Sequence, residues 1–234
     1  MNARSPASRA WIVLAMLAFV LVVPLGIQRV AASSSGPTVA VIGDSITARY
    51  NNESGSQGQG WWSFVGKRYG VKIKTFAESG SGFQRPGNLC EGTTFGQRVD
   101  QLVASKPKIV FVEGGRNDWA HCHNHRLVIA TDAEVAAGVD SVLSRLHDGL
   151  PFTTRFFILG PAWGTTSADQ RDRVTEIIRA SAEAHGMTFI STTGVFDGDR
   201  VLDGTHPNRA GSIALGQTVI KAVGPKLLTA SAPR

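Results

Sequence analysis

The chain has no run of lysine or arginine, no internal repeat and no long low-complexity tract. Without a basic stretch it offers no electrostatic footprint for nucleic acid, so no nucleic-acid partner is expected. Without a repeat it does not read as a solenoid or propeller. Acidic residues are absent from residues 1–32, where three of the basic ones (Arg4, Arg9 and Arg29) lie. The net charge of +6 therefore overstates the remainder, which from Ser33 onward would carry +3. Cysteine is reduced to two residues, Cys90 and Cys122. No second group of metal ligands accompanies the cluster His121, Cys122, His123 and His125, so no metal is expected, although alternating histidines in an extended segment could share a side.

What is present begins with an apolar run from residue 11 to residue 27, preceded by Arg4 and Arg9 and followed by the small residues Ala31 and Ala32. Residues 1–32 read as a secretory signal peptide. An uncleaved anchor is the alternative, but the run is short for a full span and Pro24 interrupts it. Either way the domain is exported, secreted or held at the cell envelope, and membrane contact is confined to this segment. Residues 33–234 read as one domain, expected to be a monomer. Two cysteines in an exported chain point to a disulfide. Asn52-Glu53-Ser54 matches a glycosylation acceptor, relevant only in a eukaryotic secretory pathway.

Apolar segments at 38–42, 71–76, 108–113, 155–159 and 188–191 read as strands. Between them lie helical patterns: Trp61, Trp62, Phe64 and Val65; Val99, Leu102 and Val103; Val135, Val139, Val142, Leu143 and Leu146; Val174, Ile177 and Ile178; and finally Ile213, Ile220 and Val223. Five strands alternating with helices predict an α/β fold, a parallel sheet covered on both faces.

The first strand runs into Gly43-Asp44-Ser45, a tight turn that exposes one hydroxyl. Open α/β sheets place ligands at the carboxyl ends of their strands. Ser45 is thus a candidate nucleophile, and an N-cap for the next helix is its plainer reading. It does not sit in a G-x-S-x-G elbow, because Thr47 replaces the second glycine. A base stands at Asp203-Gly204-Thr205-His206: His206 can take the serine proton, and Asp203 can hold the imidazole tautomer. Pro207 suits the first turn of the last helix and biases His206 towards extended backbone. Gly114-Gly115-Arg116-Asn117-Asp118 ends the third strand and presents the Asn117 amide, a possible oxyanion donor. Ser79-Gly80-Ser81-Gly82 follows the second strand, where a glycine can aim a bare N–H at a substrate oxygen. Spacing from the strand favours Gly80, with Gly82 the alternative. Asp44 and Asp118 read as local hydrogen-bond acceptors. Trp119 and Trp163 follow strand ends and are candidate pocket walls. Trp61 and Trp62 could form a sugar platform, but core is the better reading for at least one. Residues 54–60 read as a flexible loop beside Ser45.

Four stretches in this order resemble the SGNH hydrolases, the GDSL esterases and lipases: Gly43-Asp44-Ser45, Glu78-Ser79-Gly80, Gly115-Arg116-Asn117-Asp118, and Asp203-Gly204-Thr205-His206-Pro207-Asn208. The resemblance covers most of the chain after the leader. It implies a flavodoxin-like three-layer sandwich with strand order 2-1-3-4-5. It further implies a catalytic Ser45, His206 and Asp203, and an oxyanion hole from the N–H groups of Ser45 and Gly80 and the Asn117 amide. No cofactor is expected. The expected function is a serine ester hydrolase, carboxylesterase- or lipase-like, on a small-molecule, lipid or glycan ester. Acyl transfer or deacetylation on glycans, and a non-catalytic glycan-binding domain on the same scaffold, are the alternatives. The two cysteines lie in loops leaving neighbouring strand ends, so Cys90 and Cys122 are expected to pair over one edge of the pocket.

Overall fold

The computed structural model describes residues 38–52, 57–163 and 168–224. The leader, the glycosylation acceptor's Glu53 and Ser54, and part of the loop at 54–60 lie outside the described residues.

The strands are β1 (Val39–Gly43), β2 (Ile73–Ala77), β3 (Ile109–Glu113), β4 (Ala120–His123), β5 (Arg126–Ile129), β6 (Arg155–Leu159) and β7 (Thr188–Ile190). The longer helices are α1 (Ser45–Asn52), α2 (Trp61–Tyr69), α3 (Phe95–Ala104), α4 (Asp132–Gly149), α5 (Ala168–Ala184) and α6 (Arg209–Val223), with single turns at Gln57–Gln59 and Gly87–Cys90. Five strands form one parallel sheet in the order β2-β1-β3-β6-β7. This is the expected 2-1-3-4-5 order; the count shifts only because β4 and β5 form a separate antiparallel hairpin. That hairpin was not anticipated. It occupies the segment whose histidines resembled a metal cluster, and its second strand is exposed along its length. A two-stranded ribbon lacking a buried face gives no alternating apolar signal to read.

The central strands are apolar on both faces because both are covered. From β1, Ala40 and Ile42 enter a core with Phe95, Val99 and Leu102 of α3, Val139 and Leu143 of α4, and Val174 and Ile178 of α5. Val39 and Val41 enter a second core with Ile46 of α1, Trp61 and Val65 of α2, and Leu215 and Val219 of α6. The last helix buries Ser212, Leu215, Val219 and Val223 rather than a face centred on Ile213 and Ile220, which are only partly covered. Small residues, Gly211 and Gly216, share that buried stripe and let the helix approach closely, so the largest apolar residues did not mark its centre.

Register places the active end. Gly43 lies level with Ala77 on one side and Glu113 on the other, and Glu113 with Leu159. The loops after β1, β2, β3 and β6 therefore leave the sheet at one height. The order in which strands are added reverses at β1, with β2 on one side and β3 on the other, which opens a crevice where the loops after β1 and β3 diverge.

Candidate active site

The turn after β1 is built by close packing. A Cβ on Gly43 would lie 2.7 Å from Thr47 Oγ1 and 3.1 Å from a Glu113 carboxylate oxygen, so only glycine fits. Asp44 then caps α1: its Oδ1 accepts the Ile46 N–H at 2.8 Å, and its carbonyl accepts the Ala48 N–H. The capping role thus belongs to Asp44, and Ser45 is the first helical residue. As such its N–H has no intrahelical acceptor, and its hydroxyl points away from the cap.

That hydroxyl lies 2.9 Å from His206 Nε2. His206 Nδ1 lies 2.8 Å from Asp203 Oδ2, while Asp203 Oδ1 accepts the backbone N–H groups of Thr205 (3.0 Å) and His206 (2.7 Å). These bonds, the His206 backbone N–H first among them, hold the Asp203 carboxyl well below the usual carboxylate range. The loop closes on itself: Leu202 N–H donates to the His206 carbonyl at 2.8 Å, and Tyr50 of α1 donates to the Pro207 carbonyl at 2.5 Å. Pro207 precedes the helix rather than opening it. Asn208 is the cap, its side chain accepting the Gly211 N–H.

Asn117 reaches the same place from β3. Its Nδ2 donates to the Ser81 carbonyl at 2.8 Å and lies 3.5 Å from Asp44 Oδ2, which aims the amide beside Ser45. Between Gly80 and Gly82 the structure separates the alternatives. Gly82 N–H donates to the Arg85 carbonyl at 2.8 Å, and a Cβ on Gly82 would collide with the Asp118 carboxylate. Gly80 has φ of +76°, and its N–H has no protein acceptor among the described residues. A cavity of about 580 Å³ opens here, lined by Ser45, Gly80, Asn117 and His206 among others.

Asp118 is an acceptor, as read. It takes the N–H groups of Phe83 and Gln84 at 3.1 and 3.0 Å and pins the loop after β2 to the loop after β3. Neither Trp119 nor Trp163 lines the cavity, contrary to expectation. Trp163 is buried beneath Arg116, whose guanidinium stacks 5.0 Å from its ring. Apolar contact with a long cationic stem outcompeted solvent exposure at that strand end. Trp61 is core and donates to Thr47 Oγ1; Trp62 donates to the Thr47 carbonyl.

Several polar residues had no role assigned from the sequence. Glu113 is fully buried and accepts the Thr47 hydroxyl at 2.7 Å beneath the turn. Burial, then the nearby Asp44, raises its pKa; burial also pushes the Asp44 carboxyl up to about 7. Arg98 of α3 binds the Gly43 carbonyl (3.1 Å), Ser81 Oγ (2.9 Å) and Glu78 (3.2 Å), so one buried guanidinium braces the loops after β1 and β2. A signal for it existed: Arg98 shares the buried stripe of Phe95, Val99 and Leu102, where a solvated cation would not be placed. Arg116 donates to the Ala162 carbonyl (3.0 Å) and to Thr205 Oγ1 (2.8 Å), tying the β3 and β6 loops to the histidine loop.

Cys90 and Cys122 form a disulfide, with Cα atoms 5.8 Å apart. It joins the loop carrying Gly80 to β4 of the hairpin. Cys122 is therefore no metal ligand, and among the described residues no three His, Cys, Asp or Glu side chains gather as a metal group.

Residues 41–212 match the GDSL-like Lipase/Acylhydrolase family. No curated protein matches the chain. Among solved structures, it resembles a carbohydrate acetylesterase from Sinorhizobium meliloti at a TM-score of 0.64 and 18% identity, covering 81% of this chain and 99% of that one. A putative GDSL-like lipase from Bacteroides uniformis gives 0.61 and 19%, covering 82% and 97%. A carbohydrate esterase family 2 enzyme with a carbohydrate-binding domain, from Corynascus, gives 0.61 and 20%, covering 86% and 69%.

Proposed function

The chain belongs to the GDSL-like lipase/acylhydrolase family, and from that premise we propose that it hydrolyses esters through a covalent acyl-serine intermediate formed on Ser45. The observation that carries this reading is the unbroken relay Ser45 Oγ, His206 Nε2, His206 Nδ1 and Asp203 Oδ2, with contacts of 2.9 and 2.8 Å. Ser45 attacks the acyl carbon while His206 takes its proton. Asp203 keeps the proton of the ring on Nδ1 and stabilises the imidazolium. The Ser45 and Gly80 N–H groups and the Asn117 amide face the developing oxyanion. His206 then protonates the leaving alcohol, and water, deprotonated by His206, releases the acid and restores the serine.

Polar side chains around the cavity suit a hydroxylated alcohol better than a long acyl chain, and two of the structural relatives are carbohydrate esterases by name. A carbohydrate O-acyl ester is accordingly the first substrate class to try. Export belongs to the same proposal: the leader's composition and the disulfide both fit an oxidising compartment.

A fluorophosphonate probe tests the mechanism. Peptide mass mapping should find the adduct on Ser45, and Ser45→Ala protein should take up none. Labelling at another serine, or none in protein that retains esterase activity, would refute the reading.

A further inference from the structure

Three arginines, Arg49, Arg85 and Arg116, line the cavity around Ser45, and no carboxylate lines it. A substrate made only of neutral sugar or alkyl groups does not call for the guanidinium groups of Arg85 and Arg116 facing it in one cavity. Arginine stays charged at any working pH, and its fork matches carboxylate or phosphate oxygens in pairs.

Arg85 is the informative member. It is only 9% exposed, and its buried Nε has no hydrogen-bond partner. Among the described residues its guanidinium makes no ion pair. Asp118 attracts it from beneath the loop but makes no ion pair with it: its two oxygens accept the Phe83 and Gln84 backbone N–H groups. Those bonds fix the backbone at Phe83 and Gln84, and the Arg85 carbonyl accepts the Gly82 N–H, so Arg85 is presented on a rigid loop. A largely buried guanidinium whose donors find no acceptor is unfavourable, even with a carboxylate attracting it from a distance. Fixed at a cavity wall, it becomes a site whose missing partner is an anion from outside. Arg116 stands across the same cavity, planted by the Ala162 carbonyl, Thr205 and the Trp163 ring, with donors left over beyond the two it spends. Three carboxylates attract Arg116: Asp203 spends its oxygens on the histidine loop, while Asp44 and Glu113 are buried under the floor. Burial holds both towards the neutral form.

We infer that the cavity selects esters bearing a negatively charged group, a carboxylate or a phosphate, which Arg85 and Arg116 bind while Ser45 meets the acyl carbon. This rests on the serine-hydrolase reading above and adds to it the charge of the substrate. Recognition through charge-assisted hydrogen bonds should favour the anionic member of a matched pair about 10–100-fold in kcat/KM.

The test uses matched esters. On the acyl side, 4-nitrophenyl hemisuccinate is compared with 4-nitrophenyl butyrate. On the alcohol side, 4-acetoxybenzoate and 4-acetoxyphenyl phosphate are each compared with 4-methylphenyl acetate, which separates carboxylate from phosphate. The expected result is a preference for the anion in at least one pair, shrinking as salt is raised from about 20 to 500 mM. Arg85→Gln should bring the ratio for that pair to about one, and Arg85→Lys should keep part of it. A melting curve checks that each variant folds. If Arg85→Gln does not fold, the salt dependence and the Lys variant decide. Turnover with no anionic preference in any pair, or a preference that Arg85→Gln leaves intact, overturns the inference and leaves the hydrolase reading standing. No turnover of any ester together with no fluorophosphonate labelling sinks both.

Discussion

The two sides of the cavity are built by different means. The inner side carries Ser45 and Asn117 beyond strand ends whose residues are almost wholly buried, with the histidine loop ahead of α6 beside them. Gly43, Thr47, Glu113, Arg98 and Trp61 lock together beneath it. The outer side is the loop from Ser79 to Cys90 and the hairpin it is bound to. There Asn88, Leu89 and Cys90 carry φ of 44°, 54° and 78°, three consecutive non-glycine residues in the left-handed region. Leu89 is 83% exposed, so no packing repays that conformation. Such positions cost roughly 1–3 kcal/mol each, and they persist where the surroundings over-determine them. Here the constraints are the Cys90–Cys122 bond and the backbone bond from Asn88 N–H to the Ser79 carbonyl. Chemistry that needs sub-ångström placement is put on the sheet, while the wall that meets variable substrate is held by a cross-link.

Breaking the inner side should be catastrophic for rate and mild for fold. Ser45→Ala should lower kcat by at least about 10⁴-fold with the melting temperature nearly unchanged. A variant retaining more than a few per cent of activity would place the nucleophile elsewhere. Asn117→Ala comes next, with a loss of about 10²–10³ in kcat and little change in KM, because the charge it faces exists mainly in the transition state. A rise in KM alone would make Asn117 a binding residue.

On the outer side the large effect is on stability. The Cys90–Cys122 bond spans 32 positions. Restricting the unfolded chain over that loop contributes about 3–4 kcal/mol in the chain-entropy account. Reduction, or replacement of both cysteines by serine, should lower the melting temperature clearly. Activity should fall at temperatures below the melt, since Gly80 sits on the released loop. Coincident loss of activity and fold would show that the staple does not position the wall.

The two sides also differ in how charge is stored, which pH can read. Asp44 is pushed up to about 7 by burial, whereas Asp203 is held down by its bonds to the histidine loop. Between pH 4 and 7 folded Asp44 keeps a proton that the unfolded chain has released. Its contribution is therefore full in acid and lost as pH rises through about 7. Asp203 acts oppositely, its contribution present above about pH 4 and lost as pH falls below that. Denaturant titrations should show stability declining from pH 5 to pH 7.5, and Asp44→Asn should flatten the decline. A slope equal in both proteins would remove Asp44 as its cause.

The smallest expected effect comes from relieving the outer strain. Leu89→Gly should leave the melting temperature unchanged or raise it by a degree or two, since glycine accepts positive φ freely. A drop of several degrees would mean that Leu89 stabilises the loop through contacts rather than straining it.

The sequence by itself determined the doubly covered parallel sheet, because both faces of β1 and β3 must be apolar and that double demand leaves unbroken runs such as Val39–Gly43. It marked the candidate site residues as well. Ser45, Asn117, Asp203 and His206 each follow a strand or precede a helix at a turn marked by glycine or proline, and local chain chemistry writes such turns plainly. Only the tertiary structure decided what joins these segments. The stripe of Phe95, Val99 and Leu102 marks Arg98 as buried, but only packing shows that it meets the Gly43 carbonyl. Arg116 and Trp163 lie far apart in sequence and meet only because β3 and β6 are neighbours. Gly80 and Gly82 are equally free as residues, yet one N–H is taken by Arg85 and the other is left open. Periodicity reports how each segment meets an average interior. Which particular donor meets which acceptor depends on strand order and register, and those become fixed only when distant segments pack.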